Sequence, residues 1–236
     1  MTNPRAIAAR STLFHWDDLQ ELDAHSQVAE RYDYPPFISS QPLLIQHLPE
    51  EFGRQAFEHL MSNRTTRLKI IKSMLKDAGI ELDASDECWQ AIQKWIFDLV
   101  EPSQITLSKL GDNPTKADLL QLRGEHFTHK VWHSLIIDLS LLLADQAQLV
   151  HPQLNWVFWA DSSIDDAGRF GRSPWLMINK PLTLTGEKPS RILVMSMVTG
   201  IVQNLLTHRL LDQEPAENDA LCRLYSSLLS LGNKDE

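Results

Sequence analysis

Residues 124–160 read GEHFTHKVWHSLIIDLSLLLADQAQLVHPQLNWVFWA, and this stretch decides the fold. Between Leu135 and Leu143 apolar residues fall on every side of a 3.6-residue period. A helix that is apolar all round belongs in a core or in a membrane. A membrane span needs about 20 mostly apolar residues. This run is shorter, and Asp138, Ser140 and Asp145 interrupt it, so it reads as a core helix. His151-Pro152 ends it, because the residue before a proline is pushed out of helical geometry. Leu154, Trp156 and Phe158 then alternate with Asn155, Val157 and Trp159, the two-residue period of a strand. Both strand faces are largely apolar, which predicts cover on both.

A buried Asp138 requires a partner, since an unpaired buried charge is very costly. A cap or an Arg or Lys from elsewhere is expected there, with a catalytic role as the alternative.

Outward from this centre, Pro49-Glu50-Glu51 opens a helix, with proline just inside its start. A second helix is expected from about Thr65 to Ala78, with Leu68, Ile71, Met74 and Leu75 on its inner face and Gly79 as its stop. Ser85-Asp86-Glu87 is a helix-start signal, and Ile92, Trp95, Ile96 and Leu99 make the inner stripe that follows. Trp175–Ile178 reads as a second strand and Leu182–Leu184 as a third. A helix over 190–211 is expected to bury Ile192, Leu193, Met197, Ile201, Leu205 and Leu206. Pro215 opens the last helix, through Leu221, Leu224, Leu228 and Leu229. The pattern predicts an α+β fold, mainly helical, with helices packed around a long central helix and a small antiparallel sheet at about 154–184. Residues 1–47 read as an N-terminal arm, and residues 48–236 as a single domain.

The chain has 236 residues, a formal net charge of −9 and 43% hydrophobic residues, enough for a sizeable core. That acid surplus argues against direct nucleic-acid binding and against anionic membranes, both of which select basic surfaces. It permits a basic protein partner. Cys88 and Cys222 lack metal-site spacing and build no disulfide framework, which fits a reducing compartment. With no apolar leader core near Met1, the expectation is a cytoplasmic protein.

Three constellations could carry chemistry. His126, His129 and His133 lie at i, i+3 and i+7 on one helix face, a spacing a metal can use. The HExxH arrangement that also supplies a general base is missing, and nine histidines make a chance cluster easy. The segment carrying Asp161, Asp165, Asp166, Arg169 and Arg172 reads as a charged hairpin loop. It lacks the spacing and closing Glu of a calcium-binding EF-hand loop. Loops of this kind often hold contact residues. Lys69, Lys72 and Lys76, with Arg64 and Arg67 before them, form a basic stripe, either a solvated face or a surface for an acidic group. No Walker A, GxSxG, GxGxxG or paired CxxC pattern occurs. The sequence therefore points away from an enzyme, and no catalytic residue, metal ligand or cofactor is assigned.

The segments KSMLKDAGIELDASDECWQAIQKW (72–95) and DLSLLLADQAQLVHPQLNW (138–156), the latter followed by a charged loop and SPWLMI (173–178), resemble uncharacterised bacterial domains of the toxin-immunity type. Where that pattern carries Gly-Glu inside the long helix, this chain has Ala144-Asp145. The resemblance implies a helical domain with a small sheet and a role in binding a cognate protein. The expected function is then a non-enzymatic immunity protein that neutralises a toxin, for example a basic nuclease. The acidic arm residues Asp17, Asp18 and Glu21, together with the 161–173 loop, are the expected contacts. An effector-loading adaptor of a secretion system and a metal-dependent hydrolase built on the histidine cluster are the alternatives.

Overall fold

The computed structural model describes residues 32–38, 40, 50–99, 130–159, 173–178, 191–210, 215 and 217–233. The described part is mainly helical. Helices α1 (Glu50–Asp77), α2 (Asp86–Leu99) and α3 (Lys130–Val150) precede strands β1 (Leu154–Trp159), β2 (Ser173–Ile178) and β3 (Arg191–Ile192). Helices α4 (Val194–Leu210) and α5 (Ala220–Asn233) follow.

The long helix α3 is the centre. Every residue from Ser134 to Ala144 is buried, so no side of this segment reaches solvent. It packs against α1, α4 and α5, which explains why its apolar residues show no single stripe. At its end the backbone turns through His151-Pro152, where His151 N–H donates to the Ala147 carbonyl at 2.8 Å.

Helix α1 corrects the expectation of two helices over 49–78. It runs unbroken for 28 residues, about 42 Å at 1.5 Å per residue. Ser62, Asn63, Thr65 and Thr66 are weak helix formers, where a break would cost least. Instead, Ser62 Oγ and Asn63 Nδ2 both donate to the His59 carbonyl one turn back, at 2.8 and 2.9 Å, and the helix continues through them. Gly79 ends it at φ 75°. Ile80 N–H donates to the Leu75 carbonyl and Gly79 N–H to that of Lys76, both at 2.9 Å. This is the double-bonded helix stop that glycine favours. Helix α2 starts as the sequence indicates: Cys88 N–H donates to Ser85 Oγ at 3.1 Å. Its stripe Ile92, Trp95, Ile96 and Leu99 is buried.

Strands β1 and β2 pair antiparallel from Leu154↔Ile178 to Trp159↔Ser173, and β2 pairs with β3 through Leu176↔Ile192 and Met177↔Arg191. The sheet order is β1-β2-β3. Leu154 and Phe158 of β1 are buried, whereas Asn155, Trp156 and Val157 are half-buried. The expected strand at 182–184 lies outside the described residues; β3 occupies the first positions assigned to the next helix.

That helix, α4, buries Leu205 as expected, but its other inward residues are not the expected ones. Val194, Val198, Val202 and Leu205 are buried, while Met197 is 44% exposed and Ile201 half-buried. Apolar residues lie on most sides of this helix, so its periodicity does not single out one face. Helix α5 begins at Ala220, five residues after Pro215, with Asp219 closing its first turn through Arg223 N–H at 2.9 Å. Leu221, Leu224 and Leu228 are buried, as the spacing predicts.

Candidate functional site

Among the described residues, a buried polar cluster lies between α1 and α3. Arg67 points inward from α1 and Asp138 inward from α3, and the segment Tyr32–Ile38, which turns at Asp33 (φ 47°), crosses over both. Arg67 Nε and Nη2 donate to the two Asp138 oxygens at 2.8 and 2.7 Å, a bidentate pair. Tyr34 Oη donates to Asp138 Oδ2 at 2.5 Å and accepts from Arg67 Nη2 at 2.6 Å. Arg67 Nη1 donates to the Pro35 carbonyl at 2.6 Å. The guanidinium also lies 5.1 Å from the centre of the Tyr34 ring. Arg67, Asp138 and Tyr34 are 5%, 0% and 3% exposed.

Burial pushes the Tyr34 phenol well above its ordinary range, and the Asp138 charge pushes the same way. Burial also pushes the Asp138 carboxyl up, against the pull of Arg67 and Tyr34. Burial pulls Arg67 down, but its bonds to Asp138 and Tyr34 outweigh this and hold it above its usual value. The cluster is therefore a guanidinium, a carboxyl and a protonated phenol, each using the others' hydrogen bonds. All three residues are at most 5% exposed. Chemically it is a clasp, and it gives Asp138 the cation that its burial demands.

A second, shallower cluster lies along the same helix pair. Asp145 accepts from Lys72 Nζ at 2.8 Å and from Arg64 Nη2 at 3.3 Å. Arg64 also bonds Gln148, whose Nε2 donates to the Leu154 carbonyl at 2.6 Å and so ties α3 to β1. The basic stripe is thus largely consumed. Arg67 is in the core, Arg64 and Lys72 serve Asp145, and Lys69 and Lys76 remain exposed. Helical spacing placed these residues on one element but could not say which of them turned inward.

The turn between α1 and α2 carries an excess of exposed acids, with Lys76 beside them. Asp77, Glu81, Asp83, Asp86 and Glu87 are all exposed. Among the described residues, none of Asp77, Glu81, Asp86 and Glu87 forms an ion pair. The start of α5 joins this corner. The Cys222 thiol meets the Asp86 carbonyl at 3.7 Å. Burial, then Asp86, Asp219 and Glu87, push its pKa up to about 11. Beside it a shallow groove of about 370 Å³ separates α4 from α5, lined by Met197, Ile201, Asn204, Leu224 and Arg223.

The residues singled out as contacts from the sequence, Asp17, Asp18, Glu21, Asp161, Asp165, Asp166, Arg169 and Arg172, lie outside the described residues. The strands flanking the second group do pair, Trp159 with Ser173. His126 and His129 also lie outside. His133 is half-buried on α3, and loss of solvent pushes its imidazole below the usual range, so it is neutral near pH 7. No group of three metal-ligating side chains occurs among the described residues. Among them, too, no helix is long and apolar enough to cross a membrane. The residue that sequence reasoning missed is Tyr34. Its signal was indirect: an extended Tyr-Pro-Pro-Phe segment, and a buried acid in want of donors. No family model matches this chain, and no curated protein or solved structure matches it either.

Proposed function

We propose that this chain is a cytoplasmic α+β protein-binding domain, with its helices packed on a small antiparallel sheet, that works as an immunity protein by neutralising a cognate bacterial toxin. The observation that carries this reading is the acidic corner: Asp77, Glu81, Asp86 and Glu87 are exposed without ion-pair partners among the described residues, on a chain of net charge −9. Charges of one sign steer an oppositely charged protein into contact and set the register of the complex. A basic toxin, for example a nuclease, fits that field. The internal charges support the same reading from the other side, because Arg67, Asp138, Arg64 and Asp145 are engaged with one another. In this reading the acidic arm and the 161–173 loop add to the contact surface, and no cofactor takes part.

The test is co-expression with the product of the adjacent gene, followed by pull-down and assay of that product's activity. A stable complex in which the activity is lost is the expected result. A complex in which the activity persists would make the chain a loading adaptor instead. Recovery of no stable complex contradicts the reading.

A further inference from the structure

The strap Tyr32–Ile38 is bound to the body as a peptide ligand is bound to a receptor. Its main-chain groups meet side chains of the body. The Pro35 carbonyl accepts from Arg67 at 2.6 Å, Phe37 N–H donates to Ser134 Oγ at 2.7 Å, and the Ile38 carbonyl faces His59 Nε2 at 3.0 Å. Its aromatic rings are each received separately. Tyr34 enters between Arg67 and Asp138. Tyr32 accepts from Trp95 Nε1 at 2.9 Å with the two rings edge-to-face, and the Phe37 ring lies 5.6 Å from that of His59. The receiving residues come from α1, α2 and α3, far from the strap in sequence. Pro35-Pro36 restricts the backbone from Tyr34 to Phe37 before it binds, while Asp33 turns the chain at φ 47° to bring Tyr32 to Trp95; the restriction lowers the ordering entropy, the advantage proline-rich ligands generally have.

We propose that the slot lined by Arg67, Asp138, Ser134, His59 and Trp95 is a recognition site for a segment of the pattern Tyr-x-Tyr-Pro-x-Phe on another polypeptide, and that the chain's own strap is its resident, displaceable occupant. The inference stands whether or not the chain neutralises a toxin. The chemistry of the slot selects unmodified tyrosine. The hydroxyl must donate to one oxygen of a buried carboxylate at 2.5 Å while accepting from the guanidinium at 2.6 Å. Phenylalanine leaves both of those groups short of a bond. A phosphate at that position brings negative charge onto Asp138 and has no room beside it.

The full chain with a protease site inserted between Ser40 and Glu50 tests this. After cleavage, the N-terminal piece is expected to co-elute with a body whose circular dichroism is unchanged. A synthetic peptide of residues 31–39, RYDYPPFIS, is expected to displace it. The same peptide with Tyr34→Phe should need at least tenfold more, in line with the cost of leaving buried charged groups without a hydrogen bond, and the peptide phosphorylated at Tyr34 should fail. Immediate loss of the piece, unfolding of the body, resistance to displacement at any peptide concentration, or equal competition by all three peptides would each overturn the proposal.

Discussion

Replacing Asp138 by Asn keeps the size of the side chain and removes its charge. The carboxylate accepts three hydrogen bonds, two from Arg67 and one from Tyr34, at 2.5 to 2.8 Å. An amide offers one oxygen and turns its own donor toward the guanidinium. Arg67 is then a buried cation facing a donor, with no solvent to relieve it. Removing one partner of a buried ion pair costs about 3–5 kcal/mol, a large share of the roughly 5–15 kcal/mol that holds a domain folded. The pair itself need not be favourable, because desolvating two charges offsets most of their attraction. The combined replacement Arg67→Met, Asp138→Leu and Tyr34→Phe is therefore expected to lie within about 2 kcal/mol of the parent chain, far less than the summed single costs. Urea denaturation, followed by far-ultraviolet circular dichroism and tryptophan fluorescence, measures each variant. An Asp138→Asn chain within about 1 kcal/mol of the parent would refute the reasoning. So would single costs that simply add in the triple variant.

Three further outcomes are expected. Tyr34 titrates above its ordinary value of 10.0 in the folded chain, so its contribution is complete below pH 10 and is lost as pH rises toward the folded value. Stability should fall by about 1.4 kcal/mol per pH unit in that window, and Tyr34→Phe should flatten the slope by about one proton; an unchanged slope counts against burial of the phenol. Gly79→Ala should cost about 1 kcal/mol, because φ is +75° and an added Cβ meets nothing within 4 Å; a loss above about 3 kcal/mol in the same denaturation assay would reveal a clash. With its pKa near 11, Cys222 is a thiolate in only about one part in a thousand at pH 8. Alkylation of the native chain should therefore be slow for Cys222 and immediate once urea unfolds it, and fast native labelling at that residue would show an open α2–α5 junction.

The central helix was legible because one run of apolar residues covers all its sides, a pattern that needs no knowledge of its neighbours. The ends of α1 and the start of α2 were legible for a local reason: Gly79 and Ser85 act on atoms within five residues. Three features were not. The stretch Ser62–Thr66 has low helix propensity, and long-range packing on α3 overrides it. The inner face of α4 belongs to valines whose spacing equals that of the larger residues beside them. At the candidate site, the sequence demanded a cation for Asp138, yet pairing it with Arg67 and Tyr34 spans separations of 71 and 104 residues. Periodicity along one helix carries no information of that kind, and it placed Arg67 on an outward stripe.

Titration calorimetry of this chain against the product of the adjacent gene, repeated from 50 to 500 mM salt, tests most directly whether contact with a basic partner is what the molecule is for. One-to-one binding that weakens as salt rises, and weakens further when Asp77, Glu81, Asp86 and Glu87 are changed together to Lys, is the expected result. Absence of binding at low salt, or affinity indifferent both to salt and to those four reversals, would contradict it.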